Sequence, residues 1–580
     1  MAEISRRTFI RGVTASSVVI GSAGLLGSKA WASSPTLWTK PGASAGGPAD
    51  QVHIQYGTDA ATEMTVSWHT AGPVSRPRLR LGTPHGGFGH EVGAETVTYV
   101  DGINGVESVF HHARLSRLTP GTTYVYEVLA DGAAAVQGTF RTAPVGRVPF
   151  RFTSVGDLST PNTAWSKSSL NAAVTVAQIE QFNPLFHLHN GDLSYANVNW
   201  ASQPQVWADF MNNIAPVAAH VPWMPALGNH ESEWGNGPLG YASYQARFGL
   251  PENGSRNPAW RGNWYSFQVG SVLVVTLDAN DVHFANDGSS NGTATTTYDP
   301  GFTSPYVTSA PAANGGSSLY IHDYSEGAQR RWLEQTLRRA SEDCGIDWIV
   351  AVFHQPIISS SASGAGGDLG IRQAFLDLFD RYGVDLVLVG HDHDYERSYA
   401  VHGTDPGTHL RPRVVSTDLH SIDLDATPGT VHMVVGGGGT SSHDDVYGAD
   451  TVGSDPVYGG DPIAQLYLGT PEDTVYKAAG AGTEIATWSA VRDPDTTHPW
   501  GLATFDVDPG TRAGGATSIT VNFWHTAKAA LSASGTIATP YGTITNPDST
   551  VFDSFTLTKK RKDGIGRRSG QARERITASR

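Results

Sequence analysis

The sequence predicts an all-β sandwich followed by an α/β domain whose mixed β-sheets are flanked by helices. Three observations lead there. Between residues 51 and 144, short runs rich in β-branched and aromatic residues alternate with polar ones and are interrupted by Gly and Pro. From Phe150 onward, short apolar runs alternate with stretches whose apolar residues recur at i, i+4. Five of those apolar runs end on a residue that can bind a metal.

The chain has 580 residues, enough for two or three domains and a large core. Its single cysteine, Cys344, rules out an internal disulfide and a cysteine-based zinc site. Metal chemistry would therefore use His, Asp, Asn, Glu or Tyr, and 22 histidines are present. The formal net charge is -15, but both ends are basic. Residues 559–580 carry nine Lys/Arg against two Asp/Glu, and residues 1–32 carry four against one, leaving the body near -25. So acidic a body does not suit a nucleic-acid binder. An anionic substrate would need a strong local positive charge, which a pair of bound metal cations supplies.

Ser5-Arg6-Arg7-Thr8-Phe9-Ile10-Arg11, a small-residue apolar run and Ala30-Trp31-Ala32 form a twin-arginine signal peptide over residues 1–32. This places the protein in the export machinery of that route, either secreted or associated with the cell envelope. The route carries folded proteins, often with cofactors inserted, which suits a metalloenzyme without disulfides. Nothing later is long and apolar enough to span a bilayer. Residues 33–50, rich in Pro, Gly, Ser and Ala, read as a linker.

Within 51–144 the strands are Val52–Tyr56, Met64–Trp68 and His111–Leu115, and a further run extends from Leu118 to Tyr126. Its Leu118-Thr119-Pro120-Gly121-Thr122-Thr123-Tyr124 resembles the tyrosine corner of fibronectin type III-like sandwiches. His111 and His112 read as structural strand residues. In the α/β part, Phe150–Val155 leads into Asp157, Leu185–His189 into Asp192 and Tyr195, and Trp223–Leu227 into Asn229 and His230. Trp348–Phe353 leads into His354, and Val384–Val389 into His391 and His393. Helical spacing lies at Arg331–Leu337 and Ala374–Tyr382. In open α/β sheets, sites form at the carboxyl ends of strands, so these five ends are expected to meet at one edge. His187, His189, His322 and His432 read as structural. Residues 279–322 and 403–500, rich in Gly, Ser, Thr and Asp, read as long excursions that either line the pocket or decorate the surface. Strands at Gly501–Val507 and Ile519–Trp524 close a domain spanning 148–558, and the basic residues 559–580 read as a disordered tail.

Two Asp, one Tyr, one Asn and three His are too many donors for one cation and suit two, with a carboxylate bridging. Tyrosinate favours a trivalent ion such as Fe(III), and imidazole and amide suit a divalent partner. Two such ions clamp a phosphoryl group and make hydroxide available near neutral or acid pH. That chemistry is hydrolysis of a phosphate ester. His230 belongs beside the metals, as a general acid for the leaving alkoxide.

Asp157 in Gly-Asp-Leu-Ser, Gly191-Asp192-x-x-Tyr195, Gly228-Asn229-His230-Glu231, His354 and Gly390-His391-x-His393 resemble, in order, the metal-ligand motifs of purple acid phosphatases. These belong to the calcineurin-like metallophosphoesterases. The resemblance covers about residues 50–400, including the sandwich, and is weaker from Thr430 to Leu557. It implies that Asp157, Tyr195 and His393 hold Fe(III) and that Asp192 bridges. It further implies that Asn229, His354 and His391 hold a second metal (Fe, Zn or Mn) and that His230 donates a proton or contacts substrate. Two departures stand out. The first motif ends in Ser159 where the family has glycine, and Pro356–Ser363 lacks the further histidines of plant-type members. The leading expectation is an exported acid phosphomonoesterase acting on small phosphate esters. A phosphodiesterase, nucleotidase or phospholipid-directed esterase on the same site is the second reading. A non-catalytic envelope-binding module is the third.

Overall fold

The computed structural model describes residues 48–564 except 131–132, 234, 238, 285–323, 362–365, 441–456, 459–461, 473–474, 494–499, 527–536, 540–541 and 545–548. The leader, most of the linker, His322 and residues 565–580 thus lie outside the described residues. Among the described residues, no helix is long and apolar enough to cross a membrane.

The N-terminal part is all-β. Its strands are β1 (Asp50–Tyr56), β2 (Met64–Thr70), β3 (Arg78–Thr83), β4 (Gly87–Gly93), β5 (Glu95–Val100), β6 (Glu107–Leu115), β7 (Thr123–Leu129) and β8 (Val136–Arg141). They form two antiparallel sheets, ordered β1-β2-β6-β5 and β4-β3-β7-β8. Thr119 donates its N–H to the Tyr124 hydroxyl at 2.8 Å, a tyrosine tied back to backbone five residues upstream. His112 is held by Ser67 Oγ at 2.8 Å and the Ala246 carbonyl at 3.1 Å, and His111 by Thr70 and Thr96. Both are packing residues.

Among the described residues, the α/β part is built on two large mixed sheets, as its sequence predicts, with three smaller ones beside them. In the first, β9 (Phe150–Val155), β10 (Phe186–His189) and β11 (Trp223–Pro225) run parallel. Strands Gly501–Asp508, Ala516–His525 and Thr550–Lys560 continue that sheet antiparallel to β9 and to one another, and Ser421–Asp423 closes it. In the second, β12 (Tyr265–Val269) pairs antiparallel with β13 (Val272–Thr276). Next to β13 lie β14 (Trp348–Val352), Leu386–Val389 and Val431–Val435, all parallel to it, and then the antiparallel Tyr395–Ser398 and Ser489–Arg492 and the short Val457–Tyr458. Helices α1 (Asn171–Phe182), α2 (Gln203–Ala218), α3 (Ala242–Arg247) and α4 (Ala328–Glu342) and the helical stretch Leu369–Tyr382 lie among these strands in the chain. The expectation of a single sheet edge is corrected accordingly: the metal-competent strand ends come from two sheets.

One core runs through both domains. Phe152 stacks between Phe186 and Phe505, with ring centroids 5.1 and 4.5 Å apart and rings nearly parallel. Tyr56 of the sandwich packs on Phe186 and Phe267, and Tyr126 donates to the Ala219 carbonyl at 2.6 Å. Such ring pairs add about 0.5–1.5 kcal/mol each beyond the area they bury.

Two further expectations need correction. The described residues within 403–500 are not an irregular excursion. Val431–Val435 is a fully buried central strand, and Ile463–Glu472 pairs with Val475–Ile485 in a long hairpin. The basic tail also begins later than residue 559. The last strand runs to Lys560, and Lys559 Nζ sits 2.6 Å from Asp385 and over the Trp348 ring. The Tyr395-Glu396-Arg397 run is structural as well. Arg397 makes a fully buried bidentate pair with Asp553 (2.6 and 3.1 Å), and Tyr395 donates to the same carboxylate at 2.7 Å.

A buried acid between the domains bears on pH. Burial pushes Glu233 up to about 7. A carboxyl raised on folding favours the folded state while protonated, and that advantage is lost as pH rises through its folded value. Stability is therefore expected to fall by roughly 1.4 kcal/mol per unit between pH ~4.5 and ~7. Thermal melts across this range should show a flatter slope in Glu233→Gln. An unchanged slope would clear Glu233 of the effect.

Candidate metal centre

The strand ends do converge. Asp157 follows β9, Asp192 and Tyr195 follow β10, and Asn229 and His230 follow β11. From the second sheet, His354 follows β14, and His391 and His393 follow Leu386–Val389. The loops are bent hard to present these side chains. Asp157 (φ 58), Ser159 (59), Asp192 (52), Tyr195 (58) and His391 (76) all adopt left-handed backbone, which L residues avoid at about 1–2 kcal/mol each. Close packing of the two sheets also demands glycine: a Cβ on Gly390 would lie 2.3 Å from Asp157 Oδ2.

Atoms gather around two points. At the first, Asp157 Oδ1 accepts the Tyr195 hydroxyl at 2.9 Å, and His393 Nε2 lies 3.0 Å from that hydroxyl and 3.4 Å from the carboxylate. At the second, His354 Nε2 lies 3.1 Å from Asp192 Oδ2 and 3.9 Å from Asp157 Oδ1. Beside it, His391 Nδ1 and Asn229 Oδ1 are 3.1 Å apart. Donor atoms of Asp157, Asp192 and His354 all fall within 4.8 Å of one another. His230 stands next to Asp192, with its Nε2 3.8 Å from Oδ2, its N–H donated to Oδ1 at 2.8 Å and its ring 4.4 Å from that of Tyr195. Every sequence-predicted residue is thus brought to one place.

Electrostatics show why the place suits cations. Burial raises Asp157 well above the usual carboxylate range, with the Asp192 charge adding to it. Burial opposes charge on Asp192 too, but His354 overrides it and holds Asp192 below that range. Against its own burial, His354 is held up to about 10 by Asp192 and Asp157. Burial also raises the Tyr195 phenol well above 10, with Asp157 and Asp192 adding to the shift. Two buried carboxylates here need positive charge, and the imidazolium supplies it by occupying the nitrogen a cation would use. Asp157, Asp192, Tyr195, Asn229, His354, His391 and His393 together offer more oxygen and nitrogen donors than one cation takes, so the donor set fits two.

Several supporting residues escaped sequence reading. Glu231 accepts N–H groups of Gly228 (2.7 Å), Asp192 (2.9 Å) and Leu193 (2.8 Å), locking two ligand loops together. The Asn190 carbonyl takes His354 Nδ1 at 2.7 Å, orienting the ring so that Nε2 faces the carboxylates. Asn197 Oδ1 holds His230 Nδ1 at 2.7 Å. Asn280 bonds the Gly228 carbonyl, and Gln355 bonds Asn280, so the loop after β13 braces the Asn229 and His354 loops. The signal for that loop was available: Val272–Thr276 is an apolar run ending in Leu277-Asp278, a sixth strand end of the same kind. The stretch without plant-type histidines is tied down differently, through Ser359 Oγ (2.8 Å) and the Ser360 N–H (2.7 Å) on Glu396.

Ser159 illustrates the cost of its departure. Its φ of 59 is one that glycine tolerates, and its buried hydroxyl has no hydrogen-bond partner. Ser159→Gly is expected to stabilise the protein by about 1 kcal/mol, after glycine's own entropic cost. Denaturant midpoints at constant m-value would measure it.

The chain is similar to known proteins over most of its length. Residues 49–142 match the purple acid phosphatase N-terminal domain, and residues 150–395 match the calcineurin-like phosphoesterase family. An uncharacterized protein of Mycobacterium tuberculosis is 40% identical over 575 residues, covering 96% of both chains. A probable purple acid phosphatase of Arabidopsis thaliana is 28% identical over 369 residues, 60% of this chain and 68% of the plant protein. Among solved structures, a purple acid phosphatase from yellow lupin seeds superposes with a TM-score of 0.57 at 19% identity, covering 90% of this chain and 76% of that one, and so shares the fold. Two family domains in the right order and relatives of that name make the chain a member of the purple acid phosphatase family, and with it a hydrolase of phosphoric ester bonds.

Proposed function

We propose that this chain is an exported phosphomonoesterase of the acid range, working with Fe(III) on Asp157, Tyr195 and His393. Asn229, His354 and His391 would hold a divalent Fe, Zn or Mn, and Asp192 would serve both ions. Bound there, the pair of cations would supply Lewis-acid polarisation of the phosphoryl oxygens and acidify water. The observation that carries this reading is the position of Asp192. One carboxylate meets His354 on one side and the His230 loop on the other, beside the Asp157–Tyr195–His393 cluster.

The chain's own residues do the rest. Asn197 accepts from His230 Nδ1, which leaves Nε2 to protonate the leaving alkoxide. Burial holds His230 down to about 4, so that proton is carried in acid. The neighbouring Glu231 keeps its loop closed on Asp192.

The deciding experiment compares hydrolysis of an aryl phosphate monoester with the matching bis-aryl diester, from acid to alkaline pH. Faster monoester turnover in acid is expected. A diester preference or an alkaline optimum would overturn this reading in favour of a phosphodiesterase. Export is tested by changing Arg6 and Arg7 together to lysine, which should leave the protein in the cytoplasm.

A further inference from the structure

The N-terminal sandwich reaches the metal centre through one turn. Between β5 and β6, Asp101 closes a tight turn by accepting the N–H groups of Ile103 and Asn104, both at 3.0 Å. Its other oxygen accepts the Tyr99 hydroxyl at 2.9 Å and the side-chain amide of Asn236 at 3.2 Å. The Gly102 N–H donates to Asn236 Oδ1 at 3.0 Å. The two backbones touch here, since a Cβ on Gly102 would lie 2.0 Å from the Gly235 carbonyl oxygen.

Asn236 belongs to the loop that leaves the metal centre. This loop begins at Gly228-Asn229-His230-Glu231 and returns at Gly240, whose carbonyl accepts the Glu233 N–H at 3.1 Å. Its inner end is locked by Glu231 onto Asp192 and Leu193. Its outer end is locked by Asn236, whose Nδ2 carries two hydrogens shared among Glu233 Oε2 at 2.7 Å and Gln203 Oε1 and Asp101 Oδ2, both at 3.2 Å. Glu233 also takes the Trp207 indole N–H of α2. Beside this cluster the buried Arg247 guanidinium lies over the rings of Tyr99 (5.6 Å), Phe110 (4.9 Å) and Trp207 (4.7 Å), joining sandwich, α2 and α3. Asp101, Asn236 and Glu233 are buried and hydrogen-bonded to one another or to Tyr99, Trp207 and the turn backbone, which favours one geometry, although Gln203 Nε2 beside them has no partner among the described residues.

We propose that the sandwich is a working part of the metal centre: Asp101 and Asn236 are positioning residues that hold the Gly228–Gly240 loop so that Asn229 and His230 stay in register with Asp192. The inference rests on the dinuclear reading above and assigns the N-terminal domain a role in it. Asn229 and His230 are on the clasped loop and Asp192 is tied to it through Glu231, while Asp157, His354, His391 and His393 are delivered by other strand ends.

The test uses the full mature protein with Asp101→Ala and Asn236→Ala. Metal content is measured by elemental analysis after dialysis against graded chelator, together with the visible band, kcat, KM and the thermal midpoint. The divalent metal is expected to leave at 10–100-fold lower chelator strength than in the wild type, the range typical of supporting residues around metal ligands. kcat should fall at limiting metal and recover at saturating divalent metal, while the Tyr195 band keeps its position. Asp101→Asn, which retains an acceptor for the turn, should fall between. Variants that hold the divalent metal as tightly as the wild type would overturn the proposal, whether or not they melt earlier. So would variants that lose both metals and the band together. A wild type with no second metal or no visible band would instead sink the dinuclear reading itself, before any variant is made.

Discussion

Asp192→Asn is expected to lower kcat by at least roughly 10³-fold, about 4 kcal/mol of transition-state stabilisation, and to lose at least one metal. The amide keeps the shape of the carboxylate and one acceptor for the His230 N–H, which Asp192 Oδ1 takes at 2.8 Å, so the fold should survive. What disappears is the charge. Asp192 is the carboxylate nearest His354 Nε2, at 3.1 Å, and it also lies beside His230 and is locked by Glu231. Steady-state kinetics with a monoester, run on protein whose metal content is known, measure the effect. Full activity in a metal-replete variant would end the case for a shared carboxylate.

Tyr195→Phe is expected to bleach any visible colour, because a phenylalanine cannot donate charge to Fe(III) as tyrosinate does. In metal-free protein it should also cost about 1–3 kcal/mol, since Asp157 Oδ1 and His393 Nε2 lose the hydroxyl that both contact in a buried place. The phenol sits where burial and two carboxylates push its ionisation well above 10. It is deprotonated there only if a highly charged cation takes the proton's place. The colour therefore reports the ligand and the charge of the ion at once. Absorption spectra of wild type and variant, with iron content measured on the same samples, decide it. A coloured wild type whose variant keeps its colour would show that the tyrosine is not a ligand.

The list of parts is legible in neighbouring residues alone. A short apolar run that stops at Gly-Asp, Gly-Asn or Gly-His is a local signal, and each of the five runs became a strand whose end delivers the expected side chains. The alternation of strand and helix patterns, and the Leu118–Tyr124 corner, were legible for the same reason: period and turn chemistry are written in neighbouring residues. Tertiary structure decided everything that depends on distant pairing. It divided the metal-competent strand ends between two sheets, because β9 pairs with Gly501–Asp508, some 350 residues away, and not with β14. It turned Val431–Val435 into a central strand, since burial against Leu386–Val389 outweighs a glycine-rich neighbourhood. It extended the last strand to Lys560 by giving Lys559 a buried acid to meet in Asp385. And it chose the residues that hold the site, Glu231, Asn190, Asn197 and Asn236. The motif contains Glu231 but does not show its role, and the Asn190 carbonyl and the Asn197 and Asn236 side chains have no periodicity or spacing to betray them, because each role is defined only by the group that folding places within hydrogen-bond reach.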